Sequence, residues 1–385
     1  MENKKQKKKS SIGKYVALLF GVVIGFVCGI LIAEFSEPYS NSSGSLSEDL
    51  LTFVLWILGF YLAFLLQTII HEAGHLVFGL MSGYKFSSFR IQSFMWVKDN
   101  DKVVFRRLKI AGTGGQCLMS PPELVDGKLP VFLFNMGGVL MNLFASAIAV
   151  LLFLLLRDIA FISDFLLVFA VVGVATALLN GIPMRTDAIN NDGYNAFALR
   201  RDKDAVRAFW IQLTVNAEGA KGTRLKDMPE EWFAVPSDDL MKNSMIASVG
   251  VFACNRTMDM HKFEEARTQI EHLLEIESGI VGLHRNLLLC DLIYIELITE
   301  NRKEVIDSLM TKELKQFMAS MKKFPSVIRT EYVLNLLSER NMKKAEELKS
   351  KYEKYAKSYP YQSDIESERE LLCIAENKYN NSQIA

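Results

Sequence analysis

The residues best equipped for chemistry are His71-Glu72-Ala73-Gly74-His75. Two histidines four apart on a helix stand one turn above each other on the same face. Two neutral imidazoles so placed can bind one zinc ion. Glu72 is offset by one residue, so it would reach a water at the metal without ligating it and serve as the general base. The chain holds 5 His and 44 acidic residues in 385, so chance alone predicts about 0.01 matches to His-acid-x-x-His. The motif lies in Leu50–Met81, a run with no Lys or Arg that is long enough to cross a membrane. Polar groups inside such a run are expensive and usually functional. The alternative for the same residues is a buried, hydrogen-bonded histidine pair that holds helices together.

The elements that must position the motif are apolar helices. Hydrophobic residues make up 50% of the chain, concentrated in residues 14–182, whereas 194–385 have the composition of soluble protein. Net charge is zero, which gives no global pull towards nucleic acid. Cys28, Cys117, Cys254, Cys290 and Cys373 are scattered, with no Cys-x-x-Cys pair; they suit reduced thiols used as small core residues.

A lysine-rich tail, 1–13, precedes a first expected span at about 14–35. That run is long for a signal peptide and ends without an Ala-x-Ala-like site. Further spans are expected at about 50–81, 129–156 and 159–181. The tail and the loop 82–128, with Lys85, Arg90, Lys98, Lys102, Arg106, Arg107, Lys109 and Lys128, are basic, whereas 36–49 carries no basic residue. Positive segments stay in the cytoplasm, so the tail, the 82–128 loop and everything beyond the fourth span are expected on that side. The His pair would then lie roughly 12 Å in from Met81, at 1.5 Å per residue.

Within 82–128, the runs Phe86–Val97 and Lys102–Ile110 flank Lys98-Asp99-Asn100-Asp101 and predict one short β-hairpin. Such a hairpin could hold an unwound substrate segment by strand addition. Gly112-Thr113-Gly114-Gly115 and Pro121-Pro122 follow. The third span carries Asn135, Gly137, Gly138 and Asn142, small and polar residues that favour close helix packing. Beyond the fourth span, Pro183 and the Asn-rich stretch to Gly193 end the helix. Zinc hydrolases need three protein ligands; on the correct side the candidates for the third are Asp192 and Asp187.

With these residues in view, the chain resembles the site-two protease family of intramembrane zinc metalloproteases. That family carries His-Glu-x-x-His in one membrane helix and Asn-x-x-Pro…Asp-Gly at the end of a later one. Here the matching stretches are His71–His75 and Asn180-Gly181-Ile182-Pro183 with Asp192-Gly193. Gly138-Val139-Leu140-Met141-Asn142 is similar to the family's Gly-Pro-x-x-Asn, and Gly112–Gly115 to its glycine-rich membrane-entering loop. The stretch from Pro183 to Asp192 is longer than usual, and Asn191 replaces the customary Leu.

The resemblance covers about residues 50–193. It implies Zn2+ on His71, His75 and Asp192, with Asp187 the alternative ligand and Glu72 the base. It also implies that Asn142, Asn180 and Pro183 position substrate backbone or the helix ends. The implied activity is hydrolysis of peptide bonds in membrane-embedded or membrane-associated substrates, in a multi-pass protein of a bacterial cell membrane. A zinc-binding but inactive scaffold is the alternative. A small-solute transporter ranks last, because four spans without an internal repeat suit it poorly.

Residues 194–385 predict a soluble helical domain. A helix at about 194–216 is too charged to span. Phe263, Ala266, Ile270, Leu273 and Leu274 share one helical face. Polar turns recur at His261–Ala266, Glu300–Val305 and Arg340–Ala345, spaced 39 and 40 residues apart from Ala266 to Val305 to Ala345. The pattern resembles tetratricopeptide-like helix pairs, which commonly offer a concave surface to a protein partner. The expected fold is therefore an all-α polytopic membrane domain (14–193) with four spans and one short cytoplasmic hairpin, followed by a repeat-like helical domain (194–385).

Overall fold

A computed structural model of the chain describes residues 46–99, 102–109, 114–184, 190–199 and 202–384, with five helical positions between 22 and 30. The first expected span, 14–35, lies largely outside the described residues, as does Asp187. The described structure is mostly helical with one small antiparallel sheet. The chain divides into two compact units: residues 1–84 with 130–201, and residues 85–129 with 202–385.

The first unit is built from α1 (Leu46–Met81), α2 (Val131–Leu155), α3 (Ala160–Gly181) and the short α4 (Asp192–Ala198). Three stretches, Leu50–Met81, Val131–Leu155 and Phe161–Gly181, are long and apolar enough to cross a membrane. Their apolar surface is largely exposed, as expected of helices whose outer solvent is lipid. Between helices, small residues replace bulk. A Cβ on Gly74 would fall 2.3 Å from Gly137 O, and one on Gly137 would fall 2.6 Å from Gly74 O. The backbones of α1 and α2 therefore touch at this pair, as small residues permit in membrane helices. Gly173 of α3 plays the same part against Gln67 and Ser146, whose side-chain atoms a Cβ there would meet at 2.2–2.3 Å.

The second unit joins a sheet to a helical array. The sheet has β1 (Lys85–Ile91), β2 (Phe94–Asp99), β3 (Lys102–Arg107) and β4 (Gly115–Ser120), in the order β3-β2-β1-β4. This corrects the expected single hairpin. The β2–β3 hairpin is present, but the run Phe86–Val97 breaks at Gln92-Ser93, where Gln92 adopts φ 57° and Ile91 pairs with Phe94. Of the glycine-rich stretch, Gly112 and Thr113 lie outside the described residues, and Gly115 pairs with Ile91 as the first residue of β4. Met95 and Val97, on the inner sheet face, share one core with the helices.

The helices are α5 (Lys203–Ala220), α6 (Ser244–Asp259), α7 (Phe263–Glu275), α8 (Gly282–Ile298), α9 (Lys303–Leu309), α10 (Lys312–Ser320), α11 (Pro325–Val333), α12 (Met342–Ala356) and α13 (Gln362–Ile384). The three polar turns share one backbone device. His261, Asn301 and Arg340 each adopt φ between 52° and 57°, and a new helix starts two residues later at Phe263, Lys303 and Met342. The faces behind these turns are apolar: Ala266, Ile270 and Leu273 are buried on α7, and Ala345 and Leu348 on α12.

Glu296 ties the middle turn to its neighbours. Its carboxylate is fully buried on α8. It accepts hydrogen bonds from Arg267 on α7 and from the backbone and guanidinium of Arg302. A buried carboxylate that holds two guanidiniums leaves an uncompensated charge when removed. Glu296→Ala is therefore expected to lower unfolding stability by about 3–5 kcal/mol, read by denaturant titration; an unchanged midpoint would show that the cluster is dispensable.

Candidate metal centre

His71 and His75 face the interior from consecutive turns of α1, both buried. Their rings are nearly perpendicular, with centroids 4.9 Å apart. Asp192 enters as the first residue of α4. Its Oδ2 lies 2.9 Å from His71 Nε2 and 3.4 Å from His75 Nε2, and the two Nε2 atoms are 3.2 Å apart. Among the described residues these three form the group of His, Cys, Asp and Glu side chains able to hold a metal ion.

The hydrogen bonds fix which atoms carry protons. Gln67 donates its Nε2 to the backbone oxygen of Phe169, so its Oε1 is free to accept. Asn142 donates Nδ2 to that Oε1 and to Gln67 O. The Asn142 Oδ1 must then accept, and His71 Nδ1 donates to it at 2.6 Å. His75 Nδ1 donates to the backbone oxygen of Phe134 at 2.7 Å. Both Nδ1 atoms thus carry protons, and in the neutral rings both Nε2 atoms present lone pairs.

Two imidazole lone pairs and a carboxylate oxygen therefore face one point. Such a group repels itself unless a cation sits between its members. A single proton bridges one pair and leaves the others facing each other. Burial alone would raise the Asp192 carboxyl, but the positive charge and hydrogen bonds of the imidazoles in their protonated form outweigh it and hold the group well below the usual carboxylate range; a metal ion would take the place of those protons. The residues fit a divalent metal. Donors about 2.0–2.1 Å from a tetrahedral zinc ion stand about 3.3 Å from one another, and the three observed separations bracket that value.

Backbone contacts bring the parts together. A Cβ on Gly138 would lie 2.5–2.6 Å from ring atoms of His71, so the imidazole rests on bare backbone. A Cβ on Gly193 would lie 2.1 Å from Gly181 O, so the start of α4 presses against the end of α3. Asn191 clamps this junction. Its Oδ1 accepts from Met184 N and Tyr194 N, and its Nδ2 donates to the backbone oxygens of Leu179 and Ile182. An N-cap one residue before the ligand thereby fixes where Asp192 points.

The other expected site residues fall as follows. Glu72 is buried beside His71 on α1. Asn142 is fully buried, and its amide is engaged by His71 and Gln67. Asn180 donates to Thr176 O within its own helix. Pro183 is exposed beyond the end of α3. Sequence reasoning missed Gln67 and Asn191. Gln67 had a signal: it is polar in an apolar span, exactly one i,i+4 step before His71. Asn191 had one also, as an Asn directly before a short helix.

Comparison with family models, curated proteins and solved structures returns no match. The reading of the site rests on its own geometry. Gly138→Ala places a methyl where the His71 ring lies, and is expected to weaken zinc binding by about 10–100-fold, the range seen when ligand-orienting contacts are lost. Competition against a chelating dye on detergent-purified protein reads this directly; wild-type affinity would contradict the assigned ring position.

Proposed function

We propose that the chain is an intramembrane zinc metalloendopeptidase that hydrolyses peptide bonds of membrane-embedded or membrane-associated substrates. The observation that carries the proposal is the convergence of three potential ligand atoms, from His71, His75 and Asp192, beside a buried Glu72 on a helix of membrane-spanning length. Zinc, when bound, would polarise the scissile carbonyl and acidify the attacking water.

The chain's own residues supply the rest. Glu72 takes a proton from the attacking water and returns it to the leaving amine. Asn142 and the Phe134 carbonyl keep both imidazoles in the tautomer that ligates. Asp192 adds a negative charge that helps neutralise the ion. A helical substrate hides its carbonyls in its own hydrogen bonds, so it must unwind locally before attack.

The finer organisation belongs to the same reading. The first span, 14–35, brings the number of crossings to four, and the tail 1–13 and the residues after 193 face the cytoplasm of a bacterial cell, as the basic tail and the basic loop 82–128 imply. The polar-turn helix pairs form a tetratricopeptide-like partner-binding domain.

Glu72→Gln removes the base and keeps the side chain's shape. It should lower cleavage of a co-expressed membrane substrate by about 10²–10⁴-fold while zinc content stays at the wild-type level. Cleavage that survives this change would sink the mechanism. A zinc-loaded wild type with no proteolysis against any membrane substrate would favour the scaffold alternative.

A further inference from the structure

The sheet of the second unit joins the helical core through one face, by way of Met95, Val97 and Val104. Side chains alternate along a strand, so Phe94, Trp96 and Lys98 of β2 and Val103, Phe105 and Arg107 of β3 lie on the opposite face. The register agrees: Trp96 stands opposite Phe105, Phe94 opposite Arg107, and Lys98 opposite Val103. The apolar members of this face are exposed, Phe94 by 43%, Trp96 by 40%, Phe105 by 49% and Val103 by 58%.

The rings form one patch. The Phe105 centroid lies 5.9 Å from that of Trp96 and 6.0 Å from that of Phe94, and Phe89 of β1 adds a ring 6.3 Å from Trp96. Single exposed apolar residues need no explanation, but a contiguous patch with a polar rim marks an interaction surface.

The rim is cationic. The Arg107 guanidinium lies over the Phe94 ring, 5.4 Å from its centroid, and Lys98 is exposed beyond Trp96. Residues 94–109 carry Lys98, Lys102, Arg106, Arg107 and Lys109 against Asp99 and Asp101. A guanidinium held flat on a ring still presents its N–H fork, which suits a phosphate. Trp and Phe beside Lys and Arg are the side chains of a membrane–water boundary.

The chain also keeps this sheet close to a bilayer. Only residues 82–84 separate the apolar stretch that ends at Met81 from β1, at most about 14 Å of extended chain. After β4, residues 121–130 lead into the next apolar stretch, which begins at Val131. β3 is an edge strand, and edge backbone groups need water. The face therefore suits the headgroup layer, with only the ring tips among acyl chains.

We propose that the Phe94, Trp96 and Phe105 face docks on the membrane surface, with its rings at the headgroup–acyl boundary and with Lys98 and Arg107 on the phosphates of anionic lipid. Docking needs the spans and not the metal, so it is independent of the proposed peptidase activity.

The test places the photoreactive group p-benzoylphenylalanine at Phe105 of the full chain, in vesicles of phosphatidylcholine with roughly a quarter phosphatidylglycerol, an anionic lipid. Adducts formed on irradiation are identified by mass spectrometry. The same group at Lys343, exposed at the start of α12, gauges chance encounters. Lipid adducts from position 105 should exceed those from position 343, and phosphatidylglycerol should exceed its share of the lipid among them. Lys98→Gln with Arg107→Gln, both on exposed side chains, should return that share to the bulk value while the melting temperature stays unchanged. A reading without the photoreactive group comes from lipids brominated near the headgroup, which should quench the fluorescence of the wild type more than that of Trp96→Phe. Adducts to a second copy of the chain instead of lipid, lipid adducts no more frequent than from position 343, no enrichment of phosphatidylglycerol, or equal quenching of wild type and Trp96→Phe would overturn the proposal.

Discussion

The first unit depends on one constraint: three lone pairs aimed at the same point among apolar helices. Backbone oxygens set the arrangement from the outside. The carbonyl of Phe169 orients Gln67, Gln67 orients Asn142, and Asn142 orients His71. The carbonyl of Phe134 does the same for His75. Each step is a donor meeting an acceptor, and the series ends at the two Nε2 atoms and Asp192 Oδ2. A low-dielectric surrounding makes such a network strong when complete and costly when not. A cation is the partner that this arrangement fits, and the close packing at Gly74, Gly137, Gly138 and Gly193 brings the three side chains near enough for one ion to meet them all.

The second unit solves a different problem. Its helices are amphipathic and its polar turns are short, so charged side chains that reach inward must find partners. Glu296 finds two arginines, and Arg329 finds two carboxylates and an aromatic face. Buried charges that are fully paired can hold a fold in register.

Much of the metal centre was legible in the sequence because helical spacing is rigid. The four-residue spacing of His71 and His75 fixes a shared face, and Gly after Asp192 marks a close approach that Gly193 does make. The chance rarity of the motif did the rest. The supporting residues were harder. Asn142 looked like a substrate contact, and only three dimensions show its amide taken up by His71 and Gln67. The sheet was half legible: alternation in Lys102–Arg107 was clear, but the turn at Gln92-Ser93 has none of the Asn-Gly chemistry that announces a tight hairpin, and β4 begins in glycines that read as a loop.

The most direct measurement is the metal content of the detergent-purified chain and of Asp192→Ala, by elemental mass spectrometry. The account predicts about one zinc per wild-type chain, the stoichiometry of a three-ligand site, and its loss or marked weakening in the variant. A wild-type chain that binds no zinc when supplied with it, or a variant that retains zinc fully, would contradict the three-ligand centre.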